Sequence, residues 1–149
     1  MEHGLREEHA LTLDEIRVQI RSGEYAGTTS GVARGHVQAN LVVLPEDYAF
    51  DFLRFCVRNP KPCPILEVTD AGSPEPVVMA PGADLRTDLP KYRICEKGRL
   101  VDEPTDIRSY WRDDLVCFLI GAVSRSRRRY SPRGSVSRTS KRVGTFRCT

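Results

Sequence analysis

Residues 36–93 read HVQANLVVLPEDYAFDFLRFCVRNPKPCPILEVTDAGSPEPVVMAPGADLRTDLPKYR, and this stretch decides the fold. Over 37–44, apolar and polar residues first alternate and then become continuously apolar, which predicts a β-strand. An amphipathic helix is predicted over 45–59, because proline and acidic residues open the segment and arginines close it. A second strand is predicted over 65–69. This order predicts a βαβ unit with a right-handed crossover, and an α/β fold with a mixed sheet and flanking helices.

The aromatic residues of the predicted helix indicate how it packs. Its buried stripe is predicted to contain Tyr48, Phe52, Phe55 and Cys56. A cysteine within such a stripe is expected to fill space rather than to act as a nucleophile.

A further helix is predicted before this stretch, over residues 13–22. Thr12 and Glu15 form a capping box, in which each side chain binds a backbone N–H at the start of the helix. Ile16 and Ile20 fall on one face, which is expected to be buried.

Three elements are predicted on the C-terminal side. Residues 77–79 are interpreted as a short strand, and residues 92–101 as a hairpin that turns at Glu96-Lys97-Gly98. The continuous apolar run over 115–120 is interpreted as the core of a buried helix that extends from about Trp111 to Gly121.

Charge divides the 149 residues into two unlike parts. Residues 1–121 contain all 20 acidic residues and 14 of the 23 Lys and Arg, a net charge of −6. Residues 122–149 contain the other nine basic residues and no acidic one. We therefore interpret 1–121 as part of a folded domain and 122–149 as a disordered Arg/Ser-rich tail.

Targeting signals and metal motifs are not recognisable in the sequence. There is no apolar run of membrane-spanning length and no apolar signal segment near the N-terminus, so a cytoplasmic protein without a membrane partner is expected. The five cysteines are an odd, scattered set without a C-x-x-C pair, which predicts free thiols and no zinc site.

Polar residues that could bind a small molecule fall into two groups. The first contains side chains on the predicted strands and on the rigid proline-rich connector, although a merely polar strand edge explains Gln38 and Asn40 equally well. Its members are Gln38, Asn40, Asn59, Lys61 and Glu67. The second group is the charged segment GADLRTDLPKYR, with Asp84, Arg86, Asp88, Lys91 and Arg93. Arg binds carboxylates through two donors and Asp can transfer protons, but mutually neutralising salt bridges explain this segment equally well.

The sequence resembles the bacterial hydro-lyase family related to D-glutamate cyclase. The motifs that carry this resemblance are IRSGEY (20–25), VQANLVVLPEDYAFDFLRFC (37–56), NPKPCPILEVTD (59–70), GADLRTDLPKYR (82–93) and WRDDLVCFLIG (111–121). The resemblance implies removal of water from a small acid or amino acid, and in the cyclase branch interconversion of D-glutamate and 5-oxo-D-proline. It implies no cofactor.

Catalytic roles are assigned from the chemistry of lactam formation. This reaction requires a clamped carboxylate, a deprotonated amine and a polarised carboxyl group. We expect Arg86 to bind a carboxylate and Asp84 or Asp88 to transfer protons. Gln38, Asn40, Asn59, Lys61, Glu67 and Arg93 are expected to orient the substrate.

The resemblance ends at Gly121, and the genetic code suggests why. In a shifted reading frame, the last base of each codon is read together with the first two bases of the next codon. With permitted codon choices, this frame converts residues 138–149 into HIEEGRNVPMY, a motif that resembles the family's continuation. We interpret the tail as the product of a frameshift, and this chain as an inactive truncated fragment. The alternative is an RNA-binding module, in which the tail neutralises phosphates non-specifically.

Overall fold

The computed structural model describes residues 12–29, 32 and 36–122. Its elements are α1 (Leu13–Arg21), β1 (Ala39–Pro45), α2 (Glu46–Arg58), β2 (Ile65–Val68), β3 (Ile94–Glu96), β4 (Arg99–Asp102), a short 3₁₀ helix (Arg108–Tyr110) and β5 (Leu115–Gly121). Helices and strands are combined as the predicted α/β class requires, and strand pairing within both sheets is antiparallel. Residues 123–149 of the predicted tail lie outside the described residues.

The main sheet has the strand order β1-β5-β2. Because β5 is antiparallel to both neighbours, β1 and β2 run parallel to each other. Helix α2 connects these two parallel strands, as the predicted βαβ unit requires. The two strands are not neighbours, however, since β5 is inserted between them.

Strand β5 shows that the predicted helix over 111–121 is wrong. All seven residues from Leu115 to Gly121 are buried, and each long edge of the strand pairs with another strand. A short, continuously apolar run fits an element that is covered on all sides. Periodicity alone does not show whether this element is a buried helix or a buried strand. The strands that pair with β5 lie far away in the sequence.

The two faces of the main sheet are buried by different layers. Val116, Phe118 and Ile120 of β5 pack with Leu44 and Cys56 beneath α2. The alternate residues of β5 pack against irregular chain on the opposite face, in a core that also contains Leu41, Val43, Leu85, Tyr92, Ile94 and Ile107. The sheet is thus the middle of three layers.

The buried stripe of α2 differs from the prediction at two positions. Cys56 is buried and Phe52 packs edge-on against Phe118, with ring centroids 5.0 Å apart. Tyr48 and Phe55 are instead 51% and 53% exposed. The reason is geometric, because the apolar arc of this helix is wider than the surface that the three strands cover.

The capping box and the hairpin are confirmed. Glu15 accepts a hydrogen bond from the backbone N–H of Thr12, and the Thr12 hydroxyl accepts one from the N–H of Glu15. Strands β3 and β4 turn through Lys97 and Gly98, with positive φ at both residues. This backbone matches the two-residue turns that hairpins favour.

The strand predicted over residues 77–79 is wrong, because these residues form a turn. The backbone N–H groups of Val78 and Met79 both donate to the carboxylate of Glu67, at 3.0 and 2.7 Å. A buried side chain therefore binds the donors that a neighbouring strand would otherwise have bound.

Candidate active site

Three Arg–Asp pairs lie together on the loop side of the main sheet. Each guanidinium binds its carboxylate through Nε and Nη2, with Nη2–Oδ2 distances of 2.8, 2.7 and 2.6 Å. The pairs are Arg86–Asp84, Arg21–Asp88 and Arg108–Asp106, and we call these six residues the Arg/Asp cluster. Two-donor contacts of this kind hold both partners in fixed orientations.

The loop that follows Gly82 is folded around its own acidic side chains. The N–H of Arg86 donates to Asp84 Oδ1 at 2.9 Å, and the N–H of Asp84 donates to Asp88 Oδ2 at 3.0 Å. Asp88 also binds Arg21 of α1, 67 residues away in the sequence. The side chain of Asp88 is 5% exposed, so this acid fastens the loop to the N-terminal helix.

The cluster repeats a short pattern, Asp-x-Arg, at 84–86 and 106–108. The middle residues, Leu85 and Ile107, are 5% and 0% exposed. Burial of the middle side chain leaves the flanking Asp and Arg on the outer side of the chain, where they pair. The N–H of Ile107 donates to the carbonyl of Arg86 at 3.0 Å, which joins the two copies of the pattern.

An aromatic contact supports Arg86 from the side. Its guanidinium carbon lies 5.9 Å from the ring centroid of Trp111, within range of a cation–π interaction. The indole N–H of Trp111 donates to the carbonyl of Gly72 at 3.1 Å, and the N–H of Gly72 donates to the carbonyl of Leu115. Arg86 is thereby connected to the beginning of β5.

Electrostatics keep two carboxylates of the cluster, those of Asp84 and Asp106, ionised. Hydrogen bonds from Arg86 lower the pKa of the Asp84 carboxyl below its usual value, and those from Arg108 lower the pKa of Asp106 in the same way. A guanidinium has five N–H donors, of which a two-point contact uses two. The cluster therefore combines ionised carboxylates with arginines that retain further donors.

An open groove of about 350 Å³ adjoins the cluster. This volume lies within the range of small-molecule sites, about 300 to 1,000 Å³. The lining combines hydroxyl groups with charged side chains, and its members are Ile20, Arg21, Ser22, Gly23, Thr87, Thr105, Asp106 and Arg108. Such a surface can bind a small polar molecule through both charge and hydrogen bonds.

The structure brings together the predicted catalytic residues Asp84, Arg86 and Asp88, but it places Gln38 and Asn40, two of the predicted substrate-binding residues, elsewhere. The carbonyl of Gln38 accepts from the N–H of Ala122, and Asn40 lies opposite Ile120 on β5. These positions are at the end of β5 opposite to its contact with Gly72. They lie away from the cluster.

The remaining predicted residues have local partners. Asn59 donates from its side chain to the carbonyl of Phe55 at 2.8 Å and so closes the end of α2, while Lys61 is exposed in the connector that follows. Glu67 holds the turn at Val78 and Met79. Arg93 pairs with Glu103, as does Lys91.

Sequence reasoning missed Arg21, Asp106 and Arg108 as members of the site. A signal for two of them was present, because Asp-Ile-Arg at 106–108 repeats the spacing of Asp-Leu-Arg at 84–86. Nothing local indicated Arg21, whose partner Asp88 is distant in the sequence.

Thiols in the two cores are structural. Burial raises the pKa of Cys117 to about 12 and also raises the pKa of Cys56, so neither thiol readily forms the thiolate that acts as a nucleophile. Across residues 12–29, 32 and 36–122, no cluster of His, Cys, Asp and Glu has an arrangement that could hold a metal ion. Neither α1 nor α2 is long and apolar enough to cross a membrane.

Comparison with known proteins identifies close relatives of the N-terminal three quarters of this chain. A protein of Rubrobacter xylanophilus named "Putative hydro-lyase" is 68% identical over 107 residues, which are 72% of this chain and 41% of that protein. Proteins of the same name from Thermoanaerobacter and Streptomyces avermitilis are 64% and 62% identical over 111 and 113 residues, 74% and 76% of this chain and 42% and 40% of theirs. No model of a protein family matches. The chain spans about two fifths of the length of these relatives.

Proposed function

Because the matched residues of this chain belong to the bacterial hydro-lyase family, we propose that they form part of a site that removes water from a small carboxylic acid. D-Glutamate is the substrate that we propose first, with 5-oxo-D-proline as the product. In this reaction the amine nitrogen forms a bond to the carbon of the side-chain carboxyl group. One carboxyl oxygen leaves as water with two protons from the ammonium group, so atoms and charge balance.

The Arg/Asp cluster supplies the groups that such a reaction needs. Arg86 binds a substrate carboxylate through donors that its contact with Asp84 leaves available, and the face of Trp111 limits how far its guanidinium can move. Asp84 takes a proton from the substrate ammonium group, because its side chain is 29% exposed, whereas that of Asp88 is 5% exposed and holds the loop. The observation that carries this proposal is that Arg21, Asp106 and Arg108 line one groove. Hydrogen bonds of Arg21 with Asp88, and of Ile107 with Arg86, hold the other members of the cluster next to these residues.

We further propose that the 149-residue chain itself does not turn over substrate. It spans 41% of the Rubrobacter relative, and residues 138–149, read out of frame with permitted codon choices, can give HIEEGRNVPMY. Under this proposal, the longer protein that the restored reading frame encodes carries out the removal of water.

The test compares two proteins, this chain and the product of the gene with its reading frame restored. Each is incubated with D-glutamate, and 5-oxo-D-proline is measured by chiral chromatography. We expect product only from the restored protein. Turnover by the 149-residue chain would disprove its proposed inactivity, and absence of product from the restored protein would disprove D-glutamate as the substrate.

Substitutions in the restored protein test the site. Arg86→Lys removes a two-point contact with a charged group and is expected to lower kcat/KM about 10- to 100-fold. Arg99→Lys is the matched control, because Arg99 lies on the exposed hairpin, and it should leave kcat/KM unchanged. Equal effects of the two substitutions would exclude Arg86 from substrate binding.

A further inference from the structure

The outward side of α2 carries large apolar side chains that the main sheet does not cover. Tyr48 and Phe55 are 51% and 53% exposed, and Phe50 and Val57 are 68% and 65% exposed. Members of each pair are seven residues apart, so each pair forms a strip along one flank of the helix. A surface of this kind commonly marks a site of interaction with another protein.

A ridge of charged residues separates the two strips, and its signs change halfway along the helix. Asp47 and Asp51 lie in the first half, whereas Arg54 and Arg58 lie in the second. Arg54 pairs within the chain with Asp51, at 2.9 Å. Among the described residues, no ion pair within the chain involves Asp47 or Arg58.

This pattern is complementary to itself when the helix is reversed. We propose that α2 is a self-association surface, on which α2 of a second copy of this chain packs antiparallel. The two-fold axis crosses the outward side of the helix midway along its length, at the level of Phe52 and Leu53. In a two-fold interface, each contact between two different positions occurs twice. The contacts between the two copies are Tyr48 with Phe55, Phe50 with Val57, and Asp47 with Arg58.

Charge order favours a second copy as the occupant of this surface. Antiparallel packing places the acidic half of one helix against the basic half of the other, whereas parallel packing would place like charges together and is disfavoured. The aromatic strips supply the apolar contact area, and the Asp47–Arg58 pairs set its direction. Because a helix of 13 residues offers a small surface, the dimer is expected to be weak and concentration-dependent.

Charge reversal gives a test with an internal rescue. The full chain, its Asp47→Arg variant and its Arg58→Asp variant are studied by sedimentation equilibrium. The unchanged chain is expected to dimerise, and each variant alone should associate at least about 10-fold more weakly because two pairs of like charge face each other. An equimolar mixture of the two variants should dimerise again, since opposite charges then meet at both ends of the interface.

Control substitutions distinguish this interface from non-specific association through exposed apolar residues. Phe50→Ser should weaken association, whereas Val18→Ser, which changes a 61% exposed residue of α1, should not. Circular dichroism confirms that each variant is folded. The proposal is overturned if the unchanged chain stays monomeric, if the mixed variants fail to associate, or if Val18→Ser acts as strongly as Phe50→Ser. If the unchanged chain is monomeric, the exposed side of α2 is instead expected to pack against a different protein.

Discussion

The two faces of the main sheet use the same strand in different ways. On one face, Val116, Phe118 and Ile120 pack beneath a regular helix through apolar contacts alone. On the other face, the alternate residues of β5 support irregular chain that carries the Arg/Asp cluster. A strand buried on both sides thus serves both as a packing surface for α2 and as a base for the candidate site.

Irregular chain on the second face is held by polar side chains that bind backbone groups. The Tyr92 hydroxyl donates to the carbonyl of Leu85 at 2.8 Å and accepts from the N–H of Leu89 at 3.2 Å. Glu67 binds the turn at Val78 and Met79 in a similar way. These bonds replace the ladder of a regular element, so the loop face depends on particular hydrogen bonds and the helix face on packing.

The largest effect is expected from a cavity on the helix face. Phe118→Ala removes a fully buried ring that contacts Phe52, and it should lower the free energy of unfolding by about 3 to 5 kcal/mol. Phe50→Ala, at a 68% exposed position of α2, should change it by less than about 0.5 kcal/mol. Urea denaturation at low protein concentration measures both without a contribution from self-association. Equal losses would contradict the assignment of Phe118 to the core.

The sequence predicts elements that form between neighbouring residues better than it predicts contacts between distant ones, for a physical reason. Capping at Thr12, the span of α2 and the Lys97-Gly98 turn depend on residues close together in the chain. Assignment of 115–121 as a strand depends on pairing with distant β1 and β2, and a continuous apolar run contains no sign of those partners. The width of the sheet likewise decides which residues of α2 are buried.

The candidate site follows the same rule. The local grouping of Asp84, Arg86 and Asp88 was visible in the sequence, because these residues lie within one loop. The contribution of Arg21 was not visible, since α1 reaches Asp88 only through the tertiary fold. Chemical type alone also suggested Gln38 and Asn40, which the strand register places at the far end of β5.

An intermediate effect is expected from a hydroxyl on the loop face. Tyr92→Phe leaves the carbonyl of Leu85 and the N–H of Leu89 without this partner, in a site where the ring is 1% exposed. Loss of a buried hydrogen bond costs about 1 to 3 kcal/mol, and denaturant titration should show a loss of that size. Tyr110→Phe removes an exposed hydroxyl bound to Asp102 and serves as the control, with an expected change below about 0.5 kcal/mol. If Tyr92→Phe left the free energy of unfolding unchanged, the loop layer would not depend on the hydrogen bonds of this hydroxyl.

The smallest effect concerns pH and the Asp84–Arg86 pair. Arg86 lowers the pKa of Asp84 in the folded chain, so the pair stabilises the fold above the unfolded pKa of about 3.9. This contribution is lost as the pH falls through the lower folded pKa, because the unfolded chain then binds the proton more readily. Lowering the pH from about 4 to 2 should therefore reduce the free energy of unfolding of the unchanged chain more than that of Asp84→Asn. The difference should be at most about 1 kcal/mol, because the pair is partly exposed, and thermal unfolding measures it. Arg86→Gln should remove the same pH dependence, since it removes the cause of the lowered pKa. If Asp84→Asn alone had this effect, the lowered pKa of Asp84 would have to come from the backbone of the loop rather than from the guanidinium.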